Sequence, residues 1–415
     1  MEQPSKPLCT TPKTDRPKFI LAGIGTKGDL FPLVALAEEL RGRGHRCAVL
    51  SNRGFDDYVT SRGLEFVPVA PPQENNHMNG WANLMDHVFP SFAPTFEYFR
   101  EHQANDDWVV VNLDYCSATN LMCELYRLPL CRLHLAPWLL QSLQQPAWPY
   151  NKRTEAKLGE AYRRFTLPGV YEKFYEAPFL VHHLNKYRRE LGLEQMRDMH
   201  TVEDLVTRRL GMFSEHFAPP PADWPSNLEL VGFPLPPSNG ELCPRLQAFL
   251  NREGRPLVFT PGTGVVDVDG FFDAALRCCQ SLNLPGVFLS RHYRPEASQL
   301  GPRILHLPFV ELEPLLARSA LLVHHGGIGT TARALQAGIP QVIRAQCYDQ
   351  PDNGQRIERL GLGKGFQPSD EVTAEAMTAA VGSLLADPEV LCRAAAFGEK
   401  LRGSQAIARA VDALE

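Results

Sequence analysis

Apolar residues in the first part of the chain fall into two alternating patterns. Short strand-like runs stand at Phe19–Ile24, Arg46–Leu50, Glu65–Val69 and Trp108–Leu113, the last read as fully apolar. Their continuity suits a parallel sheet covered on both faces, because a sheet with one wet face would show polar residues at every second place. Between the first two runs, Leu33, Leu36, Ala37 and Leu40 recur at i, i+3, i+4 and i+7, a helical spacing that Gly42 and Gly44 close. From 136 to 179 the alternation lapses into a segment carrying Trp138, Trp148, Tyr150, Tyr162, Phe165, Tyr171, Phe174, Tyr175 and Phe179.

Prolines then crowd the stretches Ala218–Pro221 and Phe233–Pro244, the latter reading FPLPPSNGELCP, the composition of an interdomain linker. Alternation restarts beyond it. Strands are expected at Pro256–Thr260, Gly286–Ser290, Ile304–Leu307 and Leu321–His324, with helices at Phe271–Ser281 and Leu312–Arg318. Two βα halves joined by a proline linker imply an α/β protein of two doubly wound, Rossmann-like parallel-sheet domains facing across a cleft. The expected division is a flexible tail at 1–17, an N-terminal Rossmann-like domain at 18–233, a linker at 234–245 and a C-terminal Rossmann-like domain at 246–394. Residues 395–415 are expected as a C-terminal helix, with packing back on the first domain as one option.

Composition narrows the class. With 415 residues, 44% hydrophobic and 21% charged, the chain is long and apolar enough for two ordinary cores. A formal net charge of -5 gives no electrostatic reason to expect nucleic acid. The ten cysteines are scattered without a CxxC, which points to reduced thiols in a cytoplasmic protein rather than to disulfides or zinc. No apolar run reaches the roughly 18–20 residues that span a bilayer, and the polar, proline-bearing N-terminus has no signal-peptide core. Monomer and weak dimer both stay open.

Two glycine loops carry the candidate chemistry. The first, GIGTKGD, places Gly23, Gly25 and Gly28 in a GxGxxG pattern between strand and helix, the usual fingerprint of a bound dinucleotide. Asp29 is out of place in that reading, since a carboxylate would repel a pyrophosphate. It is expected as the N-cap of the helix and as a base for a hydroxyl. The second loop runs His324-His325-Gly326-Gly327-Ile328-Gly329-Thr330-Thr331 out of a strand into a helix that Gly338 ends. Glycines there allow close backbone approach, and the helix start offers unpaired N–H groups and a positive dipole end. His324 is expected to donate to a phosphate oxygen and Thr330 to add a hydroxyl, in a site with no carboxylate of its own.

This second loop, with Asp349-Gln350 after it, resembles the donor signature of family 1 nucleotide-sugar glycosyltransferases of the two-domain GT-B fold. The likeness extends to GTKGDLFPLVALAEELRGRGH, to NKYRRELGL at Asn185–Leu193 and to FAPPPADWPSNLELVGFPL at Phe217–Leu235. The last of these, with DQPDN at Asp349–Asn353, is closest to the rhamnolipid-forming rhamnosyltransferase branch. The resemblance implies that His324, Gly326, Gly327, Gly329 and Thr330 hold a diphosphate, and that Asp349 and Gln350 bind hydroxyls of the transferred sugar. It also implies that Gly262 and Thr263 close over the phosphates and that Phe309 and Val310 meet the nucleobase. Plant members read HCGWNS at the loop, so here backbone N–H groups must do more of the phosphate binding. They also pair a base histidine with a later aspartate. Asp114, in VVVNLDYC, is the candidate here, either raising the pKa of Asp29 or simply structural.

The expected reaction is inverting transfer of a hexose from a UDP- or dTDP-sugar to a hydroxyl of an apolar acceptor. The donor is a co-substrate, and no cofactor and no metal are expected, because no acidic pair stands near the loop. Trp138 and Trp148, in the aromatic segment, are the candidate acceptor contacts. Three other readings compete. An NADP-dependent reductase would use Gly23–Gly28 for the pyrophosphate and Ser51-Asn52-Arg53 for the 2′-phosphate. An epimerase of the same fold would share the donor logic without a separate acceptor. A binding protein would hold the donor without turnover.

Overall fold

The structure is a computed structural model describing residues 16–73, 84–105, 107–114, 116–145, 178–236, 241–262, 265 and 268–415. Trp148 and Thr263 lie outside these residues, as does most of the aromatic segment. The chain divides into two compact units. The first comprises Met1–Glu215, Pro219–Pro234 and Gln405–Glu415, and the second His216–Ala218 and Leu235–Ser404.

The first unit is built on a parallel sheet of β1 (Lys18–Ala22), β2 (Arg46–Asn52), β3 (Glu65–Ala70), β4 (Trp108–Leu113), β5 (Leu130–His134), β6 (Arg208–Gly211) and β7 (Leu228–Leu230). Their order is β3-β2-β1-β4-β5-β6-β7. The helix Lys27–Gly42 follows β1 and buries Leu30, Leu33, Val34, Leu36, Ala37 and Leu40, the apolar stripe read from the sequence. The middle strands are buried along their whole length, KFILA, WVVVNL and LCRLH alike. β5 carries no apolar run because Arg132 and His134 interrupt it. Arg132 is nonetheless buried, held by Glu203 Oε1 and by Asn120 Oδ1 at 3.1 Å. A buried charge needs such partners, and only the tertiary structure supplies them.

The second unit repeats the plan with β8 (Leu257–Thr260), β9 (Gly286–Leu289), β10 (Ile304–Leu307), β11 (Leu321–His324), β12 (Gln341–Arg344) and β13 (Gly363–Phe366). The strand order is β10-β9-β8-β11-β12-β13, again parallel throughout. Phe259, Phe271, Phe272, Phe288 and Tyr293 pack on one face of the sheet. Leu246, Phe249, Leu305, Leu315, Leu316 and Leu322 pack on the other. Both faces are dry, which is why these strands read as unbroken apolar runs.

In each sheet the strand order reverses once, between β1 and β4 in the first unit and between β8 and β11 in the second. At such a reversal the loops leaving the two strands part in opposite directions, and the carboxyl ends of the strands frame a crevice. The loops at these two points carry Gly23–Asp29 and Asp114 in the first unit, and Gly262 and His324–Thr330 in the second.

The closing segment departs from the expected division at 395. One helix, Pro388–Leu401, runs through that position and stays in the second unit. A separate helix, Ala406–Leu414, joins the first unit. There Arg43 Nη1 meets Asp412 at 2.6 Å and Glu415 at 2.8 Å, while His45 Nε2 lies 2.8 Å from Glu415 Oε1.

Candidate active site

The first glycine loop is organised around Asp29, though not as its N-cap. Thr26 takes that place. Its hydroxyl accepts from Gly28 N–H at 3.2 Å, and Asp29 sits three residues on in a reciprocal capping box. Asp29 Oδ2 accepts the Thr26 backbone N–H at 2.7 Å and the Thr26 hydroxyl at 3.0 Å. Threonine wins the cap because its short side chain reaches the first-turn N–H groups, while the carboxylate at the third helical position reaches back over the loop. Gly25 must be glycine here. Its φ is +153°, and a Cβ would stand 2.4 Å from Asp29 Oδ2. Desolvation of the carboxyl group raises its pKa above its ordinary value, against the lowering pull of the Thr26 bonds.

Two of the three residues that the reductase reading needs, Ser51 and Asn52, are spent on bracing this loop, while Arg53 is exposed. Asn52, wholly buried, accepts Gly25 N–H at 2.8 Å and donates to Pro71 O at 2.8 Å. Ser51 donates to Gly23 O at 2.6 Å. Neither side chain is left for a 2′-phosphate.

Asp114 follows β4, and strand register sets it beside His134 at the end of β5, with Oδ2 3.3 Å from His134 Nδ1. Burial raises the Asp114 pKa, but the His134 and Arg132 charges outweigh it and leave the carboxyl group below its usual value. His134 escaped the sequence reading, since nothing in the sequence pairs it with Asp114. Trp138 is half-buried in the turn Pro137–Leu139.

In the second unit, His324, expected to donate to a phosphate, has both ring nitrogens engaged within the protein. It is fully buried, its Nδ1 accepts Gly326 N–H at 3.1 Å, and its Nε2 lies 3.0 Å from Gln341 Oε1. With Nδ1 accepting, Nε2 carries the proton and donates to Gln341. Burial drives its pKa down to about 3, so the ring is neutral and both nitrogens are occupied. This histidine holds the turn.

His325 is the ring nearer the glycines. A Cβ on Gly262 would meet its Nδ1 at 2.9 Å, and one on Gly327 would meet its Nε2 at 2.6 Å. Both glycines are therefore required by the space the imidazole occupies. Its Nδ1 is buried with no hydrogen-bond partner, and burial lowers its pKa to about 4. The doubled histidine was visible in the sequence; which ring turns inward was not.

Gly326 has φ +98°, and a Cβ would strike Ile343 Cγ2 at 2.6 Å. The helix Ile328–Ala337 starts here, its first i→i−4 bond outside the helix proper running from Thr331 N–H to Gly327 O at 3.0 Å. The N–H groups of Gly329 and Thr330 precede that bond. The expectation of a carboxylate-free site is corrected, because Asp349 arrives from the loop after β12 and its Oδ2 accepts Ile328 N–H at 3.0 Å. Gln350, mostly buried, turns into its own loop, where Oε1 accepts from Gln346 N–H at 2.9 Å and Cys347 N–H at 3.3 Å. A further residue of the same helix, Asn353, donates to Asp349 Oδ2 at 2.7 Å and to Gly326 O at 2.8 Å.

Beyond β10, Phe309 is half exposed, with the Arg291 guanidinium 5.7 Å from its ring centroid. Val310 instead packs on the core cluster around Leu305 and Leu315. Three strand spacings separate β10 from β11, roughly 14 Å, a span comparable to an extended nucleoside diphosphate. Among the described residues no group of three or more His, Cys, Asp and Glu could hold a metal ion, and no helix is long and apolar enough to cross a membrane.

Comparison with known proteins bears on both halves. Residues 19–119 match the glycosyltransferase family 28 N-terminal domain, and residues 287–406 match the erythromycin biosynthesis protein CIII-like C-terminal domain. Among solved structures, a glycosyltransferase of kitacinnamycin aligns with TM-score 0.73 at 19% identity, over 97% of this chain and 99% of its own. The spinosyn rhamnosyltransferase SpnG complexed with thymidine diphosphate aligns with TM-score 0.64 at 16% identity, over 96% and 99%. The fold is GT-B. The two family models fall one on each compact unit, residues 19–119 in the first and nearly all of 287–406 in the second. Sterol 3-beta-glucosyltransferases of Leptosphaeria maculans and Emericella nidulans are 26% and 25% identical, over 91% and 96% of this chain. The chain spans less than a third of these relatives, 27% and 30% of their lengths.

Proposed function

We propose that the protein transfers a hexose from a UDP- or dTDP-linked donor to a hydroxyl of an apolar acceptor, with inversion and without a metal. The observation that carries this reading is the convergence at the β8/β11 reversal. There the Gly262 turn, the His325 ring, the start of the helix Ile328–Ala337 and the Asp349 carboxylate come together within one unit. Charge building on a departing diphosphate would be met by the Gly329 and Thr330 N–H groups at the positive helix end and by His325. Phe309 offers a face for the nucleobase, and Asp349 an acceptor for sugar hydroxyls. In the first unit Asp29 serves as base. Its raised pKa suits proton abstraction better than an ordinary carboxylate. The bond from the acceptor oxygen to C1 forms as the bond from C1 to the diphosphate oxygen breaks, and the hydroxyl proton passes to Asp29. The names of the curated relatives favour a sterol or similar polycyclic alcohol as acceptor.

Thermal titration with UDP, dTDP, GDP and ADP tests the donor half. The matching nucleotide should stabilise the fold by RT ln(1 + [L]/Kd). Incubation with the corresponding hexose donor and a panel of sterols, hydroxy fatty acid esters, flavonoids and free sugars tests the acceptor half. No stabilisation by any of the four nucleotides would defeat the donor assignment, and use of free sugars alone would defeat the apolar acceptor.

A further inference from the structure

The helix Gln350–Arg359 presents an unusual buried face: Gln350, Asp352, Asn353 and Arg356 all point inward. Asp352 Oδ2 and Arg356 Nε pair at 2.7 Å, and Gln350 is taken up by its own loop. Asn353 does something different. It is wholly buried, and its single amide nitrogen bridges two separate pieces of chain, the Gly326 carbonyl at 2.8 Å and Asp349 Oδ2 at 2.7 Å. The same Asp349 oxygen accepts Ile328 N–H. One NH2 group has two protons, and both are used here across the junction between the glycine loop and the Asp349 segment.

Each end has other bonds, since Gly326 O accepts the Thr331 hydroxyl at 3.3 Å and Asp349 Oδ2 accepts Ile328 N–H at 3.0 Å. The Asn353 amide adds a bond to both ends at once. With the bridge in place, the Gly326 carbonyl turns inward, so the Gly327 N–H on the opposite edge of that peptide turns outward, and the carboxylate is held at the helix start. Resting on the glycosyl-transfer reading, we propose that Asn353 is a positioning residue of the donor site, fixing the glycine loop and Asp349 relative to each other. The carboxylate and the loop N–H groups then meet different parts of one donor molecule without reorganising.

The test substitutes Asn353→Asp in the full chain. Volume is conserved, but a carboxyl group now faces the Asp349 carboxylate. Two carboxylates at that distance cannot both ionise cheaply, so they share a proton at lower pH. When protonated, the introduced group donates one hydrogen bond and restores part of the bridge. The affinity for UDP or dTDP, whichever binds the unaltered protein, and the KM for its sugar should worsen roughly 10- to 100-fold near pH 8. Both should recover toward the unaltered values near pH 5.5. A variant that loses melting temperature but keeps its nucleotide affinity and KM across this range would overturn the proposal. So would a loss that does not change with pH. Asn353→Ser keeps one donor in a smaller side chain and should bind nucleotide several-fold more weakly at every pH. A folded serine variant with unaltered affinity also overturns it. If the unaltered protein binds none of the four nucleotides, the glycosyl-transfer reading itself fails. Normal binding by it and by both variants defeats only the role of Asn353.

Discussion

Thr26 gives both its backbone N–H and its hydroxyl to one carboxylate oxygen of Asp29, at 2.7 and 3.0 Å. The carboxylate that repels any phosphate from the first glycine loop is thus part of that loop's own architecture. Asp29→Asn separates its two roles. The amide oxygen can still accept from Thr26, so the capping box survives. Because burial raises the Asp29 pKa, the folded state binds this proton more tightly than the unfolded state does. Its contribution to stability is present at low pH and declines as pH rises past the unfolded value. The neutral amide avoids that loss, so the melting temperature at pH 8 should match or slightly exceed that of the unaltered protein. Glycosyl transfer should fall roughly 10²–10⁴-fold, and the acid limb of the pH–rate profile should vanish. A variant with near-normal turnover would leave Asp29 as a loop brace alone.

The two histidines of the second loop should separate cleanly on substitution. His324→Ala strands Gly326 N–H and Gln341 in the interior, each costing about 1–3 kcal/mol. The melting temperature should fall sharply. His325→Ala leaves no such partners and should cost little stability, yet slow transfer on the order of 10²-fold if the ring meets developing charge. A large rate loss in His324→Ala with unchanged melting would return the phosphate contact to His324.

His324 also predicts a pH dependence of folding. Its pKa is about 3 in the folded protein against an ordinary 6.5, so the unfolded chain takes up this proton first as pH falls. The stabilising contribution is whole above about pH 6.5 and is lost progressively below it. Denaturant midpoints between pH 7.5 and 5 should decline for the unaltered protein, with a shallower slope in His324→Gln.

Phe309→Ala removes a ring that is half exposed, so stability should barely move. Stacking a base on an aromatic ring is worth about 1–3 kcal/mol, and the KM for the nucleotide sugar should rise on the order of 10-fold. Equal KM values would move the nucleobase away from β10.

Activity should survive EDTA. Complete loss on chelation, restored by Mg²⁺, would contradict charge stabilisation by the helix end and His325 alone.

Much of the architecture is legible in the sequence. The unbroken runs at β1, β4, β8 and β11 announced strands buried on both faces, since only a sheet covered on both sides needs no polar alternation. The glycines at 25, 262 and 326 marked tight loops for the same local reason, because positive φ and close approach exclude a Cβ. What escaped was decided at a distance. β5 hid because Arg132 and His134 look polar until Glu203, Asn120 and Asp114 are brought to them by the fold. The Asp29 cap was misplaced by three residues, since Thr26 and Asp29 are both competent caps and geometry chose between them. The assignment of His324 over His325 turned on which imidazole the strand β11 buries against Gln341, a question of strand direction and neighbours. Asn353 was in plain view in DQPDN, but its bond to Gly326 spans 27 positions. Local propensity and apolar periodicity act over a few residues and are written in the sequence. Hydrogen-bond partnership among buried polar groups depends on which distant segments meet, and that only the tertiary structure decides.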